Sequence, residues 1–269
     1  MKLRDAEEIL RAAGIEDARD EARLIFSALA GIEPARLLFP DASAPDELVR
    51  DAIEKRSRRV PLAYVIGHAW FYREKYKVDE RCLVPRSDTE ILVDYAVKNL
   101  NDGSVFLDLC TGSGCIALSV LNNTKGTRAI AADISSGALE LVRENAEALM
   151  LTDRISVISA DVLSDAIADE VDAVLSNPPY VTTKEYECLE PEIYFEPRAA
   201  FVGGDDGGDF YRRLTELYKN KIKKGGFIAY EIGAGQAELL RNIASANGMR
   251  CEIIKDLGGR DRVAVLKPI

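Results

Sequence analysis

Residues 105–118 read VFLDLCTGSGCIAL, which is an apolar strand followed by a turn of small residues and the start of a helix. Gly112 and Gly114 allow the backbone of this turn to approach a ligand closely, and the N–H groups at a helix start suit an anionic group such as a carboxylate. A tight strand-to-helix turn without a ligand has the same sequence, so the segment alone leaves both interpretations open. Its spacing differs from the GxGxxG of dinucleotide sites and from the Gly-Lys-Ser/Thr of a P-loop.

From about residue 88 onward, short apolar runs alternate with helical patterns, which is typical of βαβ units and a mainly parallel sheet. Seven strands are predicted at 105–109, 129–132, 155–159, 171–175, 227–232, 251–254 and 263–266. Helices are predicted at about 114–123, 135–149, 208–222 and 235–247. The last two strands are separated only by a short loop, so we expect them to pair antiparallel. The predicted fold class is α/β, with a mostly parallel, Rossmann-like seven-stranded sheet.

The segment before this sheet has a different character. Leucines and isoleucines at helical spacing, with glycine and proline between them, predict a small helical domain over residues 1–66. Aromatic residues around Arg73-Glu74-Lys75 predict a β-hairpin linker over 67–84, which leaves 85–269 as the domain with the sheet.

Composition excludes several classes of function. The net charge of −10 provides no basic surface for nucleic acid, and we expect no direct nucleic-acid binding. Five scattered cysteines and one histidine favour neither a disulfide framework nor a metal site. The sequence has no run of about 20 apolar residues and no apolar signal region near Met1, so we expect no membrane association and a cytoplasmic location.

Acidic residues follow two further predicted strands. Asp133 ends the second strand, where its carboxylate could accept hydrogen bonds from both hydroxyls of a ribose. Asp161 follows the third strand and could accept from an adenine amino group, while Val162 packs on the ring. An ordinary solvated aspartate is the alternative for each acid. The position of Asp133 at a carboxyl strand end, over the crevice of an open α/β sheet, favours the ribose role.

The fourth strand continues directly into Asn177-Pro178-Pro179-Tyr180. Two consecutive prolines fix the backbone and remove two N–H donors, which leaves carbonyl groups available to a ligand. The Asn177 side-chain carbonyl and the Pro178 backbone carbonyl can accept both hydrogens of one –NH₂ group, and Tyr180 can stack on its planar π system. This loop predicts chemistry on a planar amide or amino nitrogen.

The Asn177–Tyr180 tetrapeptide resembles the motif of methyltransferases that act on adenine, cytosine or glutamine amide nitrogen. The whole chain resembles one branch of these, the peptide-chain release factor glutamine methyltransferases (the HemK/PrmC family). The resemblance includes the segment 61–67, Leu83-Val84-Pro85-Arg86-Ser87-Asp88-Thr89-Glu90, Glu196-Pro197-Arg198-Ala199-Ala200, Gly203-Gly204-Asp205-Asp206-Gly207 and 256–262.

This resemblance implies transfer of a methyl group from S-adenosylmethionine to the glutamine of the Gly-Gly-Gln motif in release factors, with S-adenosylhomocysteine as product. It implies a helical substrate-recognition domain, a hairpin and a Rossmann-like catalytic domain. Asn177, Pro178 and Tyr180 are the implied catalytic residues, and Asn177–Tyr180 would bind the glutamine. The implied cofactor-binding residues are Cys110, Thr111, Gly112, Ser113, Gly114, Asp133, Asp161, Val162 and Asn177.

Three residues depart from the family pattern: Cys110 stands where glycine is usual, Val162 where a larger side chain is frequent, and Ser87 where proline is usual. None of them removes a predicted catalytic group. A DNA adenine N6-methyltransferase would use the same tetrapeptide on a flipped base, but it needs a basic face. Residues 1–75 hold 13 Lys and Arg against 14 Asp and Glu. A catalytically idle scaffold that binds the cofactor or a translation factor is the third alternative, and the intact Asn177 and Tyr180 argue against it.

Overall fold

The computed structural model describes residues 1–39, 41–164 and 166–269. The chain forms two compact units. One consists of Met1–His68 with Val78–Glu80 and Glu190–Phe195, and the other of Ala69–Lys77, Arg81–Leu189 and Glu196–Ile269. The three domain boundaries expected from the sequence stay a prediction.

The first unit contains the predicted helices: α1 (Leu3–Ala12), α2 (Ala18–Ala30), α3 (Asp46–Ser57) and α4 (Leu62–Ile66). Their apolar faces form one core that includes Leu10, Ile25, Phe26 and Ile53, each fully buried. Gly31 ends α2 and Gly67 ends α4 in left-handed conformation, which side chains other than glycine adopt only at a cost.

The predicted β-hairpin is present in the second unit as β1 (His68–Phe71) and β2 (Glu74–Lys77). Its buried side chains form hydrogen bonds within that unit. The buried Tyr76 hydroxyl lies 2.7 Å from that of Ser119, and the buried Glu74 carboxylate accepts from Ser119 and from the Asn122 amide at 2.8 Å. These contacts make the hairpin part of the packing of the second unit.

The sheet confirms the predicted fold class. Its strands are β3 (Val105–Leu109), β4 (Arg128–Asp133), β5 (Ile155–Ser159), β6 (Val171–Ser176), β7 (Ile222–Glu231), β8 (Met249–Lys255) and β9 (Asp261–Pro268). They lie in the order β5-β4-β3-β6-β7-β9-β8. β3 pairs parallel with β4 and with β6, whereas β9 is antiparallel to both β7 and β8, as the short loop between the last strands predicts.

The remaining helices are α5 (Glu90–Asn99), α6 (Cys115–Asn122), α7 (Ser136–Ala148), α8 (Thr183–Tyr186), α9 (Asp209–Tyr218) and α10 (Ala237–Ala246). The sequence prediction missed α5 and α8, and it extended α9 to residue 222 although the helix ends at Tyr218. It also began the strand at 227, whereas β7 begins at Ile222, and the pairing of β7 with β6 shifts register between Val171 and Ala173. The glycine pair Gly225-Gly226 lies in this irregular stretch. Because glycines interrupt the apolar pattern, the sequence did not indicate the first half of the strand.

Candidate active site

The strand order places a crevice at the carboxyl ends of β3 and β6. From β3 the chain moves outward to β4 and β5, and then returns to the opposite side of β3 as β6. Ligands of open α/β sheets bind where the strand order reverses in this way. Cys110 follows β3 and Asn177 follows β6, and these strands pair at Leu109 and Ser176. The two motifs that the sequence singled out therefore meet at the reversal point.

The turn after β3 has an unusual backbone. Cys110, Gly112 and Gly114 have φ values of 60°, 55° and 81°, all in the left-handed region. A Cβ on Gly112 would meet no atom within 4 Å, whereas one on Gly114 would lie 3.1 Å from the Val142 side chain. Gly112 therefore keeps space open in front of the turn, and Gly114 allows α6 and α7 to pack closely.

Asp108 stabilises this turn through hydrogen bonds, and the sequence predicted no role for it. Its side chain is fully buried and accepts hydrogen bonds from the Thr111 hydroxyl at 2.6 Å and from the Ala117 N–H at 3.1 Å. Its other oxygen, Oδ1, is without a hydrogen-bond partner among the residues that the structure describes. Burial raises the pKa of Asp108 to about 7.

Asp133 lies at the end of β4, as predicted, and its carboxylate binds two backbone groups. One oxygen accepts from the Gly112 N–H and the other from the Ser135 N–H, both at 3.0 Å. The acid thus joins the turn after β3 to the start of α7, where Ser135 also caps the helix. Each carboxylate oxygen has a second lone pair, so these bonds leave Asp133 able to accept from a ligand.

A cleft of about 350 Å³ opens over these strand ends. Of the predicted cofactor residues, it is lined by Cys110, Gly112, Asp133, Asp161, Val162 and Asn177. Thr111 and Ser113 line a neighbouring hollow of about 40 Å³ that shares Cys110, Gly112 and Asn177 with the cleft. Of the predicted site residues, all of which the structure describes, Gly114, Pro178 and Tyr180 line neither the cleft nor the hollow.

The cleft fits a nucleoside-containing cofactor of moderate size. Its volume is in the range of small-molecule sites, about 300–1,000 Å³. Asp133 and Asp161 supply acceptors along its wall, and the buried Val162 supplies an apolar surface. Gly112 is part of the lining, and the space that a Cβ on it would occupy is open.

Further lining residues were not predicted as cofactor-binding, although Pro179 belongs to the Asn177–Tyr180 loop, and Pro197, Ala199 and Ala200 to the 196–200 segment that carries the family resemblance. They are Arg81, Cys82, Leu83, Ile134, Ser135, Ala138, Ala160, Leu163, Pro179, Pro197, Ala199, Ala200 and Phe210. The stretch around Leu83 and the stretch around Pro197 are joined by Glu196. This buried carboxylate accepts from the Val84 N–H at 2.8 Å and from the Arg86 guanidinium.

The Asn177–Tyr180 loop is anchored on several sides. The Tyr180 carbonyl accepts from the Gln236 amide at 3.0 Å, and its hydroxyl donates to Glu231 at 3.1 Å. The Gly203 N–H donates to the carbonyl of Val181 at 2.9 Å. A Cβ on Gly203 would lie 2.3 Å from the Pro179 carbonyl oxygen, so only glycine fits there. This close approach explains the first glycine of the Gly-Gly-Asp-Asp-Gly segment.

Three side chains of the Arg86–Glu90 motif form ion pairs or hydrogen bonds with distant residues. Arg86 binds Glu196, Asp88 binds Arg262 at 3.1 Å, and the Thr89 hydroxyl donates to the buried Glu231. Ser87 is exposed, so its departure from the family pattern leaves these contacts in place.

Neither a metal centre nor a membrane span is evident in the part of the chain that the structure describes. No group of three or more His, Cys, Asp or Glu side chains there is arranged to hold a metal ion. No helix in the described ranges is both long and apolar enough to cross a bilayer.

Known proteins resemble both parts of the chain. The family model of the PrmC N-terminal domain matches residues 2–67, and that of the methyltransferase small domain matches residues 87–192. The release factor glutamine methyltransferase of Cereibacter sphaeroides is 36% identical over 267 residues, which cover 97% of this chain and 95% of the relative. That of Thermodesulfovibrio yellowstonii is 38% identical over 225 residues, covering 81% and 80%.

A ribosomal protein L11 methylase from Lactobacillus delbrueckii subsp. bulgaricus shares the fold. Its crystal structure matches with a TM-score of 0.51 at 16% identity, over 68% of this chain and 81% of that one. The sheet order, the cleft at its reversal point and these matches define a class I methyltransferase that uses S-adenosylmethionine. Within that class, the chain belongs to the release factor glutamine methyltransferase family.

Proposed function

We propose that this protein methylates the side-chain amide nitrogen of the glutamine in the Gly-Gly-Gln motif of peptide-chain release factors. The observation that carries the proposal is the position of Asn177, which lines both the cleft and the hollow beside it. The relatives named above are release factor glutamine methyltransferases, and their similarity extends over most of both chains. Since release factors act in translation, the proposed place of action is the cytoplasm.

S-adenosylmethionine, when bound, supplies an electrophilic methyl group. We assign Asp133 to its ribose, Asp161 and Val162 to its adenine, and the turn Cys110–Gly114 to its methionine part. The amino-acid carboxylate suits this turn because Gly112 leaves room for close approach and lies before the start of α6.

The main chemical task of the protein is to activate a poor nucleophile. The lone pair of an amide nitrogen is delocalised into its carbonyl group. In our proposal, the Asn177 side-chain carbonyl and the Pro178 backbone carbonyl accept the two hydrogens of the substrate –NH₂ group. These acceptors stabilise the positive charge that develops on nitrogen and fix its orientation. No strong base is needed beforehand, since the proton can leave to water afterwards.

The decisive experiment uses labelled S-adenosylmethionine, a purified release factor and mass spectrometry of the Gly-Gly-Gln peptide. We expect one methyl group on the glutamine. Asn177→Ala should lower turnover by about 10²-fold or more, the scale for loss of one preorganised partner, with little change in cofactor affinity. Asn99→Ala, at an exposed position in α5, is the matched control. Unmodified release factor, or near-normal turnover by Asn177→Ala, contradicts the proposal.

The DNA adenine alternative is not favoured, because the family matches include the N-terminal segment and the chain is acidic overall. The absence of direct nucleic-acid binding stays a prediction. Incubation of the same enzyme with duplex DNA tests it, and methylated adenine would restore the alternative.

A further inference from the structure

Glu231 is a buried carboxylate close to the proposed substrate-binding loop. It is the last residue of β7 and is 2% exposed. Each of its two oxygens accepts a hydrogen bond from a different hydroxyl group: Oε2 from Thr89 and Oε1 from Tyr180, the latter at 3.1 Å. Neither Glu231 nor Thr89 was singled out by its chemistry in the sequence.

Thr89 connects Glu231 to Asn177. The Asn177 amide nitrogen, Nδ2, lies 3.3 Å from the Thr89 hydroxyl oxygen and donates to it. Thr89 is 2% exposed and begins the stretch that continues into α5. The chain of contacts therefore runs from the Asn177 amide through the Thr89 hydroxyl to the Glu231 carboxylate.

The direction of the hydrogens in this chain is determined by Glu231. An ionised carboxylate only accepts hydrogen bonds, and a hydroxyl has a single hydrogen. The Thr89 hydrogen must therefore point to Glu231, so that toward Asn177 the Thr89 oxygen can only accept. It then selects the –NH₂ side of the Asn177 amide, which turns the carbonyl oxygen Oδ1 away from Thr89. A free asparagine side chain has no such preference between its two ends.

We propose that Glu231 and Thr89 are positioning residues for glutamine methylation: together they hold the Asn177 amide with its carbonyl oxygen toward the substrate nitrogen. Through its other oxygen, Glu231 also fixes the Tyr180 hydroxyl and with it the aromatic ring. This inference rests on the proposed role of Asn177. It adds two positioning residues, Thr89 in the lining of the hollow beside the cleft and Glu231 hydrogen-bonded to it, which determine how the loop presents its acceptor.

Protonation of Glu231 would disturb this arrangement. Burial raises the pKa of Glu231 to about 7. Asp88 raises it further, while Arg262 and the hydroxyls of Thr89 and Tyr180 oppose the increase. A protonated carboxyl would direct its own hydrogen at one of the two hydroxyls. If that hydroxyl is Thr89, its hydrogen turns toward the Asn177 –NH₂ group, where two donors then face each other. Turnover should therefore fall as the pH decreases through about 7.

The test compares Thr89→Val with Thr89→Ser in the full-length enzyme. Valine keeps the shape and removes the hydroxyl, whereas serine keeps the hydroxyl. We expect Thr89→Val to lower kcat on a release factor by about 10- to 100-fold, the cost of a misplaced reacting group. Thr89→Ser should retain most of the turnover, and both variants should bind S-adenosylhomocysteine within about twofold of wild type by calorimetry. Thr215→Val is the matched control, because Thr215 is also fully buried and lies 3.3 Å from the Tyr230 hydroxyl.

A second variant tests the carboxylate. Glu231→Gln should lower kcat and abolish the acidic limb of the kcat profile near pH 7, since glutamine does not titrate. The pH profile of Glu231→Gln tests the proposal even if Thr89→Val fails to fold. A loss of fold or rigidity would lower kcat at every pH without changing the shape of the profile.

The outcomes separate this inference from the proposed function. If Asn177→Ala is inactive but Thr89→Val and Glu231→Gln turn over at the wild-type rate with an unchanged pH profile, the positioning role is overturned and the function stands. If Asn177→Ala methylates the release factor as well as wild type does, both are overturned. A low kcat for Thr89→Val, restored in Thr89→Ser, is the result that we expect.

Discussion

Cys110 lines the cleft with a strained backbone conformation. Its φ of 60° lies in the left-handed region, which costs an L-residue roughly 1–2 kcal/mol relative to its usual conformations. Glycine avoids this cost, which explains why that residue is usual at this position. Burial raises the pKa of the Cys110 thiol, so the side chain remains a neutral, unreactive part of the cleft wall. The departure from the family pattern therefore affects turn stability more than chemistry.

Asp133 should contribute to cofactor affinity both directly and through the turn. Its carboxylate binds the Gly112 and Ser135 N–H groups and is proposed to accept from the ribose. We expect Asp133→Ala to weaken S-adenosylhomocysteine binding by about 1–3 kcal/mol, measured by calorimetry. Asp153→Ala makes the same charge change at an exposed position before β5 and should leave the affinity unaltered. Equal affinities of the two variants would remove Asp133 from the cofactor site.

At the scale of elements, the position of the Asn177–Tyr180 loop depends on its packing against the 202–207 segment. Val181 pairs with Val202, and a Cβ on Gly203 would meet the Pro179 carbonyl oxygen at 2.3 Å and the Tyr180 Cα at 2.9 Å. Both contacts are backbone atoms, which have no flexible end that could move aside. A substitution at Gly203 must therefore displace the loop.

We expect Gly203→Ala to lower kcat by about 10²-fold, since a displacement of about 1 Å at a reacting group has that effect. Cofactor affinity should change much less, because the turn after β3 is untouched. Gly208→Ala is the control: the three atoms nearest to its Cβ belong to the guanidinium end of Arg212, the first at 2.8 Å, and this flexible end can rotate away. Steady-state kinetics that show the same kcat for both variants would contradict the close-packing explanation.

At the scale of the whole molecule, two buried carboxyl groups make stability depend on pH. Burial raises the pKa of both Asp108 and Glu231 to about 7, whereas the unfolded chain has values of about 4 for such groups. Between these values the native state binds more protons than the unfolded state. The free energy of unfolding should therefore increase as the pH falls from about 8 to about 5.5.

This increase is measurable by urea unfolding at the two pH values and should be smaller in Asp108→Asn. Below about pH 4 the trend should reverse, because the hydrogen bond from Arg212 lowers the pKa of Asp206 to about 2 and its ionised form is native-stabilising. A free energy of unfolding that is constant from pH 8 to pH 5.5 would contradict this assignment of the two carboxyl groups.

Substrate selection is the other property of the whole molecule. A glutamine side chain is small, so we predict that residues 1–66 provide the contacts that select a release factor. A truncation near Val78 would remove the hairpin, whose Tyr76 and Glu74 are buried in the second unit. A chain that begins at Gly67 retains both strands of the hairpin. We expect it to bind S-adenosylhomocysteine nearly as the full chain does and to methylate an intact release factor far more slowly.

Circular dichroism first establishes that the truncated chain folds. A short Gly-Gly-Gln peptide is the control substrate, and it should be equally poor for both forms. If the folded, truncated enzyme modifies the intact release factor at the full-length rate, residues 1–66 do not select the substrate.

The strands, most of the longer helices, the strand-end motifs and the family could be predicted from the sequence, because each of these is encoded locally, whereas α5 was missed. Apolar periodicity and turn residues identify 105–118 and 171–180 without knowledge of their neighbours. The structure alone revealed that Thr89, Glu231 and Gly203 meet at one loop. Thr89 and Glu231 are separated by 142 positions, and no periodicity relates residues so far apart. Glu231 lies near the Asn177 loop because β7 pairs with β6 at Tyr230 and Ser176, and Thr89 lies near Glu231 because α5 packs against β7. Only the folded sheet with its helices brings these residues together.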